Sequence, residues 1–196
     1  MAKHLSALHP EILADTDLLR VEMLGPHGRV SLRARGDLLA FDAPLGLSLP
    51  RRIGQRASRE GMEALQLGPD EWVLVLHVDE VGALLERLAA IYGGHPHSAV
   101  DLSGREITFR VEGPGAAGLL SIGCPRDIAS IPEGEARRTV FDGVTVILWH
   151  DAADRFRMDV WNSFAPHVAQ LLATGSRELA AEAEISANQT GESHLN

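Results

Sequence analysis

Four short clusters in this chain combine side chains that bind metals, move protons or attack carbonyls. Cys124 is the single cysteine, set in Gly123-Cys124-Pro125. A nucleophilic thiol needs a depressed pKa, supplied by a helix N-terminus or a neighbouring cation. Cys124 instead follows a segment that reads as a helix, and the negative end of a helix dipole favours the protonated thiol. A small buried turn residue is the expected role. His95-Pro96-His97 with Asp101 supplies metal-ligand types, but the proline and the loop expected after it fix no tetrahedral geometry. His150, Asp151 and Asp154 fall on an expected turn between strands, where aspartate is common for turn chemistry alone. Asp70 and Glu71 are neighbours in another turn. A general acid/base pair must face one substrate atom from two sides, and adjacent turn residues diverge. No catalytic residue and no metal ligand is assigned.

The phosphate-cradling, zinc-protease and nucleophile motifs GxxxxGKT, HExxH and GxSxG do not occur in the sequence. Charge is more informative. The net charge is −9, yet residues 20–60 carry eight arginines against four acids, so that segment is +4 and the remainder −13. Its densest part, RRIGQRASRE from Arg51 to Glu60, reads as a loop. The plain expectation is a solvated loop. The sharper one is that Arg51, Arg52, Arg56 and Arg59 contact an anion or an acidic partner, since guanidinium pairs bidentately with carboxylates. Trp72, Trp149 and Trp161 lie in or beside expected strands as core or interface anchors. Trp161 and Phe164, with His167, are the candidate partner contacts.

The elements that hold these groups follow from periodicity. Val30, Leu32 and Ala34 alternate with polar residues as a half-buried strand, followed by a short helix ending near Gly46. Leu65–Leu67 and Trp72–Leu76 flank Gly68-Pro69-Asp70-Glu71, a hairpin. Val81, Leu84, Leu85, Leu88 and Ile91 space a helix that stops at Gly93-Gly94. Ile107, Phe109 and Val111 form a strand, and Gly113-Pro114 turns it into a helix running to Gly123. Arg137–Phe141 and Val144–Trp149 flank Asp142-Gly143, a dipeptide that accepts positive φ in tight hairpins. Phe156–Val160 is a further strand, and Asn162 or Ser163 caps a last helix from Ala165 to Ala173. Tight turns join antiparallel neighbours. The fold class is therefore α+β, two αβ lobes with mostly antiparallel sheets that meet near residue 100. Residues 1–17 are expected to be an N-terminal extension and 18–174 the folded body. Residues 175–196 form a polar tail, helical to about Ala183 and disordered beyond it.

Composition excludes several classes. One cysteine forms no intramolecular disulfide, and no stretch reaches the roughly 18 apolar residues of a spanning helix. The first residues lack an adequate apolar core for a secretory signal, so cytoplasmic residence is expected, with no membrane partner. The acidic balance and 5% aromatic content argue against nucleic acid as partner.

Four strings occur in order: LGPDEWVLVL (67–76), DLSGREITFRVEGPGAAGLLSIGCPRDI (101–128), RRTVFDGVTVILWH (137–150) and FRMDVWNSFAPHVAQLL (156–172). Together they resemble the gamma subunit of heterotetrameric sarcosine oxidase, over about Arg20 to Ala173. GPDEW and GCPRDI are the most specific pieces. The resemblance implies a fold similar to the folate-binding domain of the glycine-cleavage aminomethyltransferase. It also implies an accessory place in a complex that oxidatively demethylates sarcosine to glycine and passes the one-carbon unit to tetrahydrofolate. FAD, FMN, NAD and zinc would then belong to partner alpha, beta and delta subunits. This chain would bind no cofactor of its own, with tetrahydrofolate at most a weak ligand. A subunit of an N-methylglutamate dehydrogenase-like complex, or a free-standing folate-binding protein, fits the same strings. The resemblance transfers no catalytic role to any residue.

Overall fold

The chain folds around two sheets, each with two helices on its outer face. The computed structural model describes residues 9–193, and within them no helix is long and apolar enough to cross a membrane. The first strands are β1 (Glu11–Asp15), β2 (Arg20–Met23) and β3 (Gly28–Ala34). After the one-turn helix α1 (Asp42–Leu45) come β4 (Arg56–Arg59), β5 (Met62–Gly68) and β6 (Glu71–Leu76). Then follow α2 (Val81–Ile91), β7 (His97–Asp101), β8 (Glu106–Glu112) and α3 (Ala116–Gly123). The chain continues through β9 (Ala136–Phe141), β10 (Val144–Ala152), β11 (Arg155–Trp161) and α4 (Ala165–Ser193).

All pairings are antiparallel. One sheet runs β4-β5-β6-β3-β7 and the other β1-β2-β8-β11-β10-β9. Alternation explains their outer faces. Val30 and Leu32, Met62 and Ala64, and Trp72, Leu74 and Leu76 point to one side, where they pack on Leu45 of α1 and on Val81, Leu84 and Leu88 of α2. Phe109, Val111, Val146, Leu148, Phe156, Met158 and Val160 do the same against Leu119 and Leu120 of α3 and Val168 and Leu172 of α4. The inner faces meet across a third, smaller cluster of Leu65, Val73, Val75, Ala136, Ile147 and Trp149. The layer order is helix, sheet, sheet, helix.

Both expected hairpins are present. Asp142 at φ 47° and Gly143 at φ 77° make the β9–β10 turn, and the β5–β6 turn carries a register shift at Gln66–Gly68. The α+β class and the two antiparallel lobes are as the sequence predicts. Their connection is not. The chain enters the second sheet first, through β1 and β2, leaves for β3–β7, and returns through β8. The lobes therefore meet twice, at residues 24–27 and at 102–105.

Three boundaries differ from the expectation. Residues 11–15 are not an extension but an edge strand, and residues 1–8 lie outside the described ones. The last helix does not stop at Ala173 but is continuous to Ser193. Gly175 lies against Leu119, Ser176 is fully buried with its Oγ donating to the Leu172 carbonyl at 2.6 Å, and Leu179 packs on the core. Small residues at 175 and 176 thus give close helix contact where the sequence reads only as polar; the disorder expected beyond Ala183 is not seen through Ser193, and 194–196 lie outside the described residues. Finally, residues 56–59 are a strand and not part of a loop.

Gly113, at φ 119°, joins β8 to α3 in close contact with the turn between β1 and β2. A Cβ there would stand 2.6 Å from the Leu18 carbonyl oxygen. Gly113→Ala is expected to cost about 1–3 kcal/mol, read as a lower midpoint in urea unfolding.

Candidate functional site

Cross-strand register makes the inner faces readable row by row. On the second sheet, Val140, Thr145, Trp161 and Glu106 face one another across β9, β10, β11 and β8. The next row holds Arg138, Ile147, Asp159 and Thr108, and the third Ala136, Trp149, Arg157 and Arg110. On the first sheet, Ser58, Glu63, Val75 and Arg29 make one row, and Arg56, Leu65, Val73 and Ser31 the next. Apolar residues fill the middle of the interface, and charged residues surround them.

Arg29 is the deepest of these, 1% exposed. Its Nη2 donates to the Asp159 carboxylate at 2.8 Å and to the Thr108 hydroxyl, which in turn donates to Asp159 at 2.5 Å. The other Asp159 oxygen accepts from Trp149 Nε1 at 2.7 Å. Burial alone would push the Asp159 carboxyl up, but the Arg29 charge and the bonds from Thr108 and Trp149 hold it below its ordinary value. Glu106 is less well served. Its Oε2 lies 3.5 Å from Arg29 Nε, which makes no hydrogen bond, and its Oε1 accepts from Arg105 at 3.1 Å. Burial, then the neighbouring Asp159 charge, raise the Glu106 carboxyl above its ordinary value.

On the other side of Trp149 lies a closed ring of alternating charge. Arg56 of β4 bonds Asp151 at 2.8 Å and Glu63 at 2.7 Å, while Arg157 of β11 bonds Asp151 at 2.6 Å and Glu63 at 2.8 Å. Both guanidinium carbons lie about 5 Å from the Trp149 ring centroid, at 5.1 and 4.9 Å, within cation–π range. Burial would raise Asp151, but Arg157 and Arg56 outweigh it and keep it ionised. Nearer the surface, Arg138 bonds Glu71 and Arg52 bonds Glu135, two more links between the sheets.

A cleft of about 330 Å³ opens where the first sheet ends and the second continues, with Leu67, Glu71, Glu106, Arg138, Ile147 and Trp161 in its wall. At its rim Trp161 is 46% exposed with Arg105 stacked 5.3 Å from its ring, and Phe164 is 44% exposed. Val140, in the same row as Trp161, is exposed as well. Trp161 and Val140 thus leave a ledge of uncovered inner face, and Phe164 is exposed in the turn that follows β11.

The sequence-predicted residues divide accordingly. Trp161 and Phe164 are both exposed, and Trp72 and Trp149 are core. The four arginines do not form one anion site. Arg51 is exposed, Arg52 and Arg56 are engaged by Glu135, Asp151 and Glu63, and Arg59 donates to the Leu45 and Glu60 carbonyls. Asp151, expected in a turn, belongs to β10 and the charge ring. Asp70 pairs with Arg35 and Glu71 with Arg138, while Arg33 lies against both, 3.0 Å from Asp70 and 3.7 Å from Glu71. Cys124 is buried, 3.8 Å from the Thr139 hydroxyl. His97 begins β7 and packs edge-on to Phe41 and Tyr92. Among the described residues no three His, Cys, Asp or Glu groups cluster to hold a metal. Arg29, Thr108 and Asp159 were missed because they alternate with apolar residues as solvent-facing ones do. Only the facing sheet, which their own strands do not reveal, buries them.

Residues 37–178 match the sarcosine oxidase, gamma subunit family. The chain belongs to that family. Sarcosine oxidase subunit gamma of Corynebacterium sp. (strain U-96) is 33% identical to this gamma-family chain over 145 residues, 72% of this chain and 70% of the relative. The subunit of the same name from Arthrobacter sp. is 31% identical over 144 residues, covering 72% and 70%. Among solved structures, a chain of heterotetrameric sarcosine oxidase from Corynebacterium sp. U-96, in complex with pyrrole 2-carboxylate, superposes with a TM-score of 0.77 at 28% identity. The match covers 85% of this chain and 88% of that one. Glycine cleavage system aminomethyltransferase T from Bartonella henselae shares the fold, with a TM-score of 0.54 at 17% identity over 76% of this chain and 44% of that one.

Two measurements test this charge layer in the gamma-family chain. Asp159→Ala leaves Arg29 buried without its carboxylate and is expected to cost about 3–5 kcal/mol in urea unfolding. Glu106 sets a pH dependence of definite sign. Between its ordinary pKa of 4.5 and its raised folded value, the native state holds a proton that the unfolded chain has released. Its contribution is therefore full below that ordinary value and is lost as pH rises through the folded one. Relative to Glu106→Gln, the parent chain should lose stability on going upward from about pH 4.5; parallel profiles for the two would contradict it.

Proposed function

We propose that this chain is the gamma subunit of a heterotetrameric sarcosine oxidase-like complex and serves it as a structural subunit. In that complex sarcosine is oxidatively demethylated to glycine and the one-carbon unit passes to tetrahydrofolate. The family match over residues 37–178 carries the reading. The local chemistry supports an accessory role, because Asp159 and Asp151 are engaged by arginines and Trp149 within the sheet interface. Such carboxylates support the packing of the sheets and do not stand ready to accept a substrate proton. FAD, FMN, NAD and zinc would be held by the alpha, beta and delta partners in the cytoplasm, and this chain would contribute none. Trp161 and Phe164 would meet a partner, since exposed aromatic anchors are what protein interfaces bury. Arg51 is the member of the basic segment left for such a contact; Arg52, Arg56 and Arg59 would shape that surface from within. N-methylglutamate is the alternative substrate for such a complex.

The inter-sheet cleft favours one second reading. About 330 Å³ with apolar walls, Trp161, Arg105 and Glu106 lies at the lower end of ligand-site sizes, and a folate would be its weak ligand. Calorimetric titration with tetrahydrofolate tests this separately, and absence of heat at about millimolar ligand eliminates it.

Co-expression with the large flavoprotein subunits of such a complex is the main test. The chain should co-elute with them in one complex, and recovery of the chain alone would refute the reading. Trp161→Ala with Phe164→Ala should weaken association about thirtyfold, as for a hot spot of about 2 kcal/mol, with an unchanged melting temperature of the isolated chain.

A further inference from the structure

Four strands end the two sheets, and three of them are guarded against pairing with other chains. β1 has a register irregularity between Ile12 and Ala14 and packs against α4. β4 is four residues long with an arginine at each end. β9 carries Arg137 and Arg138, and its Ala136 N–H is taken by the Gly54 carbonyl at 3.0 Å. Short length, charge, irregular register and cover are the means by which proteins blunt sheet edges. β7 is five residues long and packs on α2 on its helix face, but His97-Ser98-Ala99-Val100-Asp101 holds no lysine, arginine, proline or register shift.

The ladder fixes which backbone groups are open. Leu102 N–H donates to the Arg29 carbonyl at 2.7 Å, in continuous register with the β3–β7 pairs. In an antiparallel ladder alternate residues bond the same neighbour. Val100 and Ser98 therefore turn to β3, and the N–H and C=O groups of His97, Ala99 and Asp101 lie on the open side. Among the described residues no backbone group pairs with them. Beside this edge, on the helix face, runs a groove of about 620 Å³ lined by Leu85 and Ala89 of α2, by Tyr92 just past its end and by His97, Ser98 and Ala99 of β7. Tyr92 is 56% exposed there.

We infer that β7 receives an added strand: an extended segment of another subunit pairs with its open edge and sets a large apolar side chain into the groove between α2 and β7. Unpaired ladder groups select an extended backbone, and the groove beside them selects the side chains on one face of it. The groove also decides against a second copy of this chain. A second β7 would present His97, Ala99 and Asp101 on that face, and its central methyl leaves the groove unfilled. The inference rests on the subunit reading above, and it concerns a surface separate from the Trp161 ledge.

Hydrogen–deuterium exchange of the co-expressed complex, compared with the isolated chain, tests it. Residues 97–101 should exchange about tenfold or more slowly in the complex. Ala89→Arg, an exposed substitution that obstructs the groove, should reduce the recovered complex about tenfold. It should leave the circular dichroism and Tm of the isolated chain unchanged. A complex that forms with residues 97–101 exchanging as in the isolated chain overturns the inference and leaves the subunit reading intact. So does an Ala89→Arg chain that assembles like the parent. Failure of the parent chain to assemble refutes both. An isolated chain that is dimeric with residues 97–101 already protected assigns the edge to a second copy and overturns the occupant named here.

Discussion

Arg29 is a cation with no route to water, and the placement of the two sheets follows from what must surround it. A buried guanidinium requires a carboxylate and further acceptors, or the desolvation cost of several kcal/mol stands uncompensated. β3 of one sheet supplies the arginine. β8 and β11 of the other supply Thr108 and Asp159. The sheets can therefore approach only in a register that brings these strands together. The ring of Arg56, Asp151, Arg157 and Glu63 repeats the condition on the other side of Trp149. Hydrophobic contact between the inner faces is non-directional, whereas these bonds admit one alignment.

This division of labour explains which parts of the fold were legible in the sequence. The outer faces follow period 2 in strands and 3.6 in helices, so both central hairpins, α2, α3 and the start of α4 could be read directly. β1, β2, β4 and β7 could not. β1 and β2 are five and four residues long, and β4 is built of RASR, with no apolar alternation to find. β7 follows His95-Pro96, a sequence that reads as loop. The far half of α4 escaped because its contact depends on Gly175 and Ser176 being small, which a hydrophobic pattern does not register.

The site was less legible than the fold. The exposed aromatics Trp161 and Phe164 follow from their position at and just beyond the end of the last strand. The arginines of residues 51–59 were conspicuous as a local charge run, but their partners lie up to 95 residues away, at Glu135 and Asp151. A charge run looks unsatisfied whenever its counterions are distant in sequence. Conversely, Thr108 and Asp159 look solvated because each is flanked by apolar neighbours on a strand. Family resemblance filled part of this gap through GPDEW, at the β5–β6 turn, and GCPRDI, at the end of α3, neither of which marks a reacting group.

The double crossing between the lobes has a kinetic consequence. β2 pairs with β8 at Arg20 and Glu112, more than ninety residues apart, and β8 completes its ladder only with β11. During synthesis, β1 and β2 leave the ribosome long before any strand they can join beyond each other. The β3–β7 sheet and its two helices close within one contiguous stretch and can form at once. Loop-closure entropy makes the remaining, non-local sheet the slow step. The nascent chain thus carries a finished lobe with an unfinished hairpin trailing from it, and its apolar residues Val21 and Met23 need shelter until the last third of the protein has emerged.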